Sequence, residues 1–179
     1  MTSSNEMELD PSVHDKFRSR VGEYLEGTHD GRGLRIGIVC GRFNGAITVR
    51  LLEGALKTLA EANVERRDIS ISWVPGAFEV PLLALAYADG DKPYDAVLTL
   101  GAVIRGETGH YEIVSGESAR GVQDVQLSTR VPVVFGILTT NTIQQAMERS
   151  LPDETNKGRE AALTALEMVS ILRQGSLVE

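Results

Sequence analysis

Four short apolar segments, each followed by a stretch of helical periodicity, constrain this chain more than any other feature. The apolar segments are rich in β-branched residues and cover residues 34–40, 68–74, 95–101 and 132–138. Helical spacing predicts helices at about residues 46–62, 79–88, 110–128, 142–149 and 158–172. Strands that alternate with helices form a parallel sheet covered on both faces. The sequence therefore predicts a flavodoxin-like three-layer α/β/α sandwich with a four-stranded parallel sheet.

The first 33 residues do not follow this alternation. Residues 1–9 are polar, and we expect them to be disordered. Pro11 lies at a favourable first position for a helix. An apolar stripe on that helix would contain Val13, Phe17, Val21, Tyr24 and Leu25. Glycine and polar residues from Gly27 to Gly33 predict a flexible joint. These features divide the chain into an N-terminal extension, residues 1–33, and a domain over residues 34–179.

Composition excludes several classes of protein. The net charge of -7 argues against a nucleic-acid-binding protein, because such proteins need a basic surface. The sequence has no apolar run long enough to span a membrane and no signal peptide, so we expect no membrane partner. The single cysteine, Cys40, cannot form an internal disulfide, which favours a cytoplasmic location. We expect Cys40 to be a buried, small apolar side chain.

The segment from Leu98 to Val114, LTLGAVIRGETGHYEIV, combines a strand end with chemically active side chains. The predicted strand stops at Gly101, and Glu107, Thr108 and His110 precede a helical pattern. Ligands of open α/β sheets bind at the carboxyl ends of the strands, and helix N-termini there offer N–H groups to anions. An imidazole at that place can transfer protons near neutral pH. We therefore expect the functional site at this edge of the sheet.

Three further loops should reach the same edge: residues 41–44, 75–79 and 139–141. Their aromatic, carboxylate and hydroxyl groups suit planar, hydroxyl-bearing and phosphorylated ligands. By residue type alone, Phe43 can stack on a heterocycle or pack on the local core. Glu79 can accept hydrogen bonds from ligand hydroxyls or complement a helix dipole.

For each of the other candidate residues taken alone, both a structural and a functional role remain open. Phe78 taken alone is more typical of a core. His110 taken alone fits a solvent-exposed helix N-terminus as well as a site, and its neighbours Glu107 and Thr108 favour the site. Arg149 and Lys157 are typical of solvated charges. No second histidine or cysteine stands at metal-ligand spacing from His110, so no metal site is expected. A nucleotide-binding P-loop and a Gly-x-Ser-x-Gly hydrolase motif are absent as well.

Five separated motifs together resemble the lumazine synthase family. In chain order they are GRFNGAIT, VPGAFEVP, LGAVIRGETGHYEIV, VPVVFGILTTNTIQQAMER and NKGREAALTALEM. The resemblance covers about residues 34–172. It implies a transferase that condenses 5-amino-6-(D-ribitylamino)uracil with 3,4-dihydroxy-2-butanone 4-phosphate. The products would be 6,7-dimethyl-8-ribityllumazine, phosphate and water, at the penultimate step of riboflavin biosynthesis, without a metal or an organic cofactor.

The resemblance also implies a role for each candidate residue of one subunit. Phe43 would stack on the pyrimidine ring, with Asn44 beside it. The contacts of the ribityl chain would be Ala77, Phe78 and Glu79. The uracil edge would be bound by the backbone of Ala102, Val103 and Ile104. Glu107 and Thr108 would line the phosphate site, and His110 would be the catalytic proton-transfer residue.

In the resembled family the pocket lies between adjacent subunits of a homo-oligomer. The neighbouring subunit would supply Phe135 over the ring, Arg149 to the phosphate and Lys157 near the pyrimidine. Arg149 would be catalytic, because its forked donors suit a departing phosphate. Members of the family assemble as pentamers, and some pack pentamers into icosahedral shells. The sequence leaves both assemblies open.

Two segments depart from the family pattern. Residues 107–109 read Glu-Thr-Gly, where many members carry Ala or Gly followed by Thr-Thr. The loop SLPDETNKG replaces a glycine-rich stretch of equal length.

Two alternative functions were also considered for this chain. A riboflavin synthase of the same type has no phosphorylated substrate, which argues against it because Thr108 and Arg149 are present. A purely shell-forming or ligand-binding protein would have no need to keep the catalytic set.

Overall fold

The computed structural model describes residues 11–174, in which four strands and six helices alternate. The strands are β1 (Ile36–Gly41), β2 (Ile69–Val74), β3 (Ala96–Ile104) and β4 (Val133–Thr140). The helices are α1 (Pro11–Arg18), α2 (Gly45–Glu61), α3 (Val80–Ala88), α4 (His110–Thr129), α5 (Ile143–Glu148) and α6 (Lys157–Gln174). Short 3-10 turns occupy Arg66–Asp68 and Ala77–Glu79. Every strand and helix predicted for residues 34–172 is present.

The four strands form one parallel sheet in the order β2-β1-β3-β4. The central strands β1 and β3 are buried on both faces, as continuous apolar runs require. The edge strands β2 and β4 are less completely buried, and each has exposed positions. This topology confirms the predicted three-layer, flavodoxin-like sandwich.

Each face of the sheet has its own apolar core. On one face, α2, α5 and α6 cover residues such as Ile38 and Leu98. On the other face, α3 and α4 cover Val39, Val97 and Ile137. Neighbouring strand residues therefore enter opposite cores, because successive side chains of a strand point to opposite faces. No helix within residues 11–174 combines the length and the apolar character that crossing a membrane requires.

The N-terminal helix is shorter than the sequence pattern predicted. Helix α1 ends at Arg18, so Val21, Tyr24 and Leu25 lie beyond it and the predicted continuous stripe is wrong. Phe17 and Val21 are 41% and 51% exposed. The chain turns back after α1, and the Tyr24 hydroxyl lies 2.7 Å from Nδ1 of His14. This contact replaces the helical packing that the apolar spacing suggested.

The stretch from Gly27 to Gly33 packs against the domain, so its description as a flexible joint is wrong. The Thr28 N–H donates to Oγ of Ser170 at 3.1 Å, and the Gly31 N–H donates to the Ala62 carbonyl at 2.7 Å. Gly31 is buried, and a side chain there would overlap Val64. Here glycine permits close approach between backbones, which composition alone does not distinguish from flexibility. The disorder expected for residues 1–9 lies outside the described residues.

Candidate active site

The carboxyl ends of β1, β2 and β3 open into a cavity of about 640 Å³, called here the aromatic cavity. It is lined by Phe43, residues 75–79, residues 102–104, Gly106, Thr108, His110, Tyr111, Ile113 and Val114. Nine of the residues predicted from the sequence lie in this lining: Phe43, Ala77, Phe78, Glu79, Ala102, Val103, Ile104, Thr108 and His110. The strand ends therefore meet at the predicted edge of the sheet.

Strand β3 continues past Gly101, where the sequence pattern placed its end. It runs to Ile104 because β4 pairs with it to the end, with Ile104 opposite Thr140. Strand β1 pairs with β3 only as far as Leu100. Beyond that residue, the β1 side of β3 has no strand partner in the described sheet. A planar ligand with amide-like donors and acceptors can bind such a backbone edge as a further strand would.

The two phenylalanines of the cavity are exposed to solvent in the single chain. Phe43 is 74% exposed and Phe78 is 55% exposed. Neither ring is buried, so the alternative of core packing, which residue type alone left open for Phe43 and favoured for Phe78, is wrong for both. Hydrogen bonds extend the β1–β2 pairing into this loop, from the Arg42 N–H to the Val74 carbonyl and from the Phe43 N–H to the Pro75 carbonyl. The turn after β2 then presents Phe78 to the same cavity.

Asn44 connects two strands and does not line the cavity. Its Nδ2 donates to the Ala102 carbonyl at 2.8 Å, which ties the loop after β1 to β3. Its backbone is left-handed, with a φ of 57°, a conformation that asparagine tolerates better than most residues. Asn44 therefore fixes the position of its neighbour Phe43 at the mouth of the cavity.

Glu79 is the last residue of the 3-10 turn, directly before α3, and lines the aromatic cavity. Its carboxylate makes no capping hydrogen bond to α3. Among the described residues it has no ion-pair partner. The carboxylate is therefore open to hydroxyl groups of a ligand, in a cavity where it is the acidic lining residue.

His110 is the first residue of α4, a helix of 20 residues. Its ring is exposed and lies in the cavity lining, and Gly109 before it provides no capping side chain. The first N–H groups of an α-helix have no partner within the helix and attract anions. The His110 N–H lies as far as 3.5 Å from Oγ1 of Thr108, so the hydrogen bond between them is weak. This end of α4 can therefore bind an anion beside a titratable imidazole.

Glu107 is exposed and does not line the aromatic cavity. The loop that carries it is held by Arg105, for which the sequence interpretation assigned no role. Arg105 Nε donates to Oδ1 of Asn141 at 3.0 Å, its guanidinium pairs with Glu112, and it stacks 4.2 Å from the ring centroid of Tyr111. The hydrogen bond from Arg105 lowers the pKa of the Glu112 carboxyl. In the sequence, the only indication of a role for Arg105 is its position as a single arginine in a loop that contains two glycines.

The remaining predicted residues lie in a different cavity of about 450 Å³, called here the cationic cavity. It lies between edge strand β4 and α6, and it contains Phe135, Arg149 and Lys157. The Arg149 guanidinium donates to the Gln145 carbonyl and has no ion-pair partner among the described residues. Lys157 pairs with Glu160 one turn along α6. The two cavities share no lining residue, so one chain does not bring all predicted residues together.

The family model of 6,7-dimethyl-8-ribityllumazine synthase matches residues 33–173 of the 179-residue chain. The match covers the whole sheet, both cavities and every predicted site residue. The chain therefore belongs to the 6,7-dimethyl-8-ribityllumazine synthase family of riboflavin biosynthesis.

Proposed function

We propose that this protein condenses 5-amino-6-(D-ribitylamino)uracil with 3,4-dihydroxy-2-butanone 4-phosphate, as a transferase that releases 6,7-dimethyl-8-ribityllumazine, phosphate and water. The observation that carries the proposal is the composition of the aromatic cavity. It holds two exposed aromatic rings, an unpaired carboxylate and a helix N-terminus that begins with a histidine.

The pyrimidine binds between Phe43 and the edge of β3 beyond Leu100, which has no strand partner on the β1 side and where Asn44 already donates to the Ala102 carbonyl. An aromatic face stacks on the flat ring, and the backbone of residues 102–104 hydrogen-bonds the uracil edge. Ala77 and Phe78 contact the ribityl chain, and the Glu79 carboxylate accepts hydrogen bonds from its hydroxyls. The unpaired state of that carboxylate in the single chain supports this assignment.

The phosphate of the second substrate binds at the N-terminus of α4, near Thr108. Glu107 contributes its backbone N–H, with the carboxylate turned outward. Arg149 of an adjacent subunit supplies a planar cation that stabilises the departing phosphate. The absence of a carboxylate partner for Arg149 among the described residues supports this role.

His110 transfers protons while an imine forms, phosphate is eliminated and the second ring closes. In the first step the 5-amino nitrogen attacks the ketone carbon and water leaves. The elimination then breaks the carbon–oxygen bond to phosphate and leaves an enol, which tautomerises to a ketone. The ribitylamino nitrogen attacks that carbonyl carbon, and a second water leaves as the ring closes. Holding both reactants together accounts for much of the rate enhancement, because intramolecular reactions avoid the entropy of encounter. The imidazole adds general acid–base catalysis.

A complete site forms between two subunits of a homo-oligomer. The aromatic cavity of one subunit receives Phe135, Arg149 and Lys157 from its neighbour. The separation of the two cavities on one chain, and the position of the cationic cavity along an edge strand, support this arrangement. We further propose that residues 1–33 are an extension and residues 34–179 the catalytic domain, since the strand–helix alternation starts with β1.

The decisive experiment mixes the two substrates with the purified protein and follows lumazine fluorescence together with released phosphate. Both signals should rise with equal stoichiometry and in proportion to the protein concentration. The control is the same protein after heat unfolding. Product formation no faster than in that control would refute the proposed function.

A further inference from the structure

Asn156 is a buried polar side chain close to the cationic cavity, with an exposed fraction of 1%. It directly precedes α6. In the loop from residue 150 to residue 156, Ser150 and Asn156 are buried and the five residues between them are exposed. The position of this loop therefore depends on very few inward contacts.

Both the oxygen and the nitrogen of the Asn156 side-chain amide make two hydrogen bonds. Its Oδ1 accepts from the N–H groups of Gly158 at 2.9 Å and Arg159 at 3.1 Å, so it caps the first turn of α6. Its Nδ2 donates to the Leu151 carbonyl at 2.8 Å and to the Arg50 carbonyl of α2 at 3.3 Å. Only a side chain with two donors and an acceptor can make this set of bonds, which leaves asparagine or glutamine.

Close packing of α6 against α2 makes this position rigid. A side chain at Gly54 of α2 would overlap the Asn156 amide. A side chain at Gly158 would overlap the backbone carbonyl of Leu51. Helix α2, the loop and the start of α6 are therefore fixed to one another through backbone contacts around Asn156.

The same loop joins the two cationic residues of the proposed phosphate site. Arg149 follows α5 and Lys157 begins α6, and the Lys157 N–H donates to the Arg149 carbonyl at 2.9 Å. The backbone of both residues thus moves with the loop. Leu151, whose carbonyl receives the Asn156 amide, is two residues from Arg149.

We propose that Asn156 is a positioning residue, which anchors the loop to α2 so that Arg149 reaches the phosphate of the substrate. This inference rests on the proposed function, because it assumes that Arg149 binds phosphate. Asn156 touches no substrate; it acts through Arg149.

The test measures the inhibition constant of inorganic phosphate in wild type, Asn156→Asp, Arg149→Ala and the double variant. Asp keeps the oxygens that cap α6 but loses both donors, and it places negative charge against two carbonyl oxygens. We expect phosphate to bind about tenfold more weakly to Asn156→Asp, since small displacements of a binding group have large effects. In the Arg149→Ala background the same change should weaken binding by less than about twofold, because residues that act through one another are not additive. Thr155→Ala is the matched control, since Thr155 is exposed and its side chain bonds only to Asp153.

Each outcome decides the inference. Unchanged phosphate affinity in folded Asn156→Asp would overturn it, and so would equal effects in both backgrounds, which indicate a purely structural role. If Asn156→Asp does not fold, Asn156→Ser, which keeps a capping oxygen, replaces it in the same cycle. Failure of both to fold would assign Asn156 to stability alone. If wild type forms no lumazine, the proposed function fails, a result separate from any of these.

Discussion

At the scale of single residues, the two cations of the cationic cavity differ in what neutralises them. Lys157 has Glu160 as a partner, whereas Arg149 has no carboxylate partner among the described residues. An unpaired guanidinium close to a cavity is available to an anionic ligand. Arg149 is therefore the side chain on which the phosphate assignment depends most directly.

Arg149→Ala should lower kcat/KM by about 100-fold, because a charge that stabilises the departing phosphate is lost. Steady-state kinetics with varied phosphorylated substrate measures this loss. Arg66→Ala is the matched control, since Arg66 is exposed and lies at the opposite, amino-terminal end of the sheet. Wild-type kinetics in Arg149→Ala would contradict the assignment.

His110→Ala should reduce turnover by about tenfold to 100-fold without abolishing it, because positioning of the two reactants is retained. The measurement is kcat across the neutral pH range, with His29→Ala as the control for loss of an exposed histidine. Complete loss of activity in a folded His110→Ala protein would show that proton transfer dominates the barrier.

Cys40 should be unreactive in the folded protein. Burial raises the pKa of its thiol to about 12, so almost no thiolate exists near neutral pH. A thiol reagent at about pH 8 should modify the native protein slowly and the unfolded protein at once. Because the chain has one cysteine, the signal is unambiguous. Rapid modification of the native state would contradict the burial of this strand residue.

At the scale of elements, the contact between α2 and α6 is closer than side chains would allow. Gly54 and Gly158 provide the space, and the Asn156 amide fills part of it. This contact fixes the start of α6 and hence the backbone of Lys157. Glycine normally reduces the stability of a helix. The close contact between α2 and α6 explains why each helix nevertheless contains one at this point.

Gly158→Ala should therefore lower the free energy of unfolding by about 2 kcal/mol, because the added methyl group meets a backbone carbonyl that cannot rotate away. Gly116→Ala is the matched control in α4, where no atom lies within 4 Å of the new methyl group. That control should raise the free energy of unfolding by about 1 kcal/mol, the difference in helix propensity between glycine and alanine. Denaturant titration compares the two variants, and equal effects would contradict the close contact.

At the scale of the whole molecule, the residues that we propose for the site lie on two separate surfaces of one chain. The aromatic cavity opens at the ends of β1, β2 and β3, and the cationic cavity lies along β4 and α6. In the arrangement we propose, a cyclic assembly would bring one surface of each subunit against the other surface of the next and so complete every site.

Mixing two impaired variants tests this arrangement. Phe43→Ala damages the aromatic cavity and Arg149→Ala damages the cationic cavity, so each homo-oligomer has only defective sites. Oligomers reassembled from an equal mixture should regain about a quarter of wild-type activity, because one pairing in four joins two intact halves. The control reassembles each variant alone. A mixture no more active than its components would show that the site lies within one chain.

Most of the fold was predictable because its signals are local. The strand at residues 34–40 and the helix at residues 46–62 were read from residue type and spacing, and both are present within two residues. The end of β3 was misplaced at Gly101, since the strand continues to Ile104 only by pairing with β4. Local composition also failed for Gly27–Gly33, where contacts with residues 62 and 170 decide the packing.

The sequence by itself determined the parallel α/β architecture, the edge that holds the aromatic cavity and, through five motifs, the family. It could do so because periodicity and motifs depend on neighbours along the chain. Only the tertiary structure decided that Phe43 and Phe78 are exposed, that Asn44 binds the Ala102 carbonyl, and that Arg149 lies in a separate cavity. These facts depend on contacts between residues far apart in the chain. The anchoring of α6 to α2 by Asn156 belongs with them, because a hydrogen bond across 106 positions leaves no local pattern.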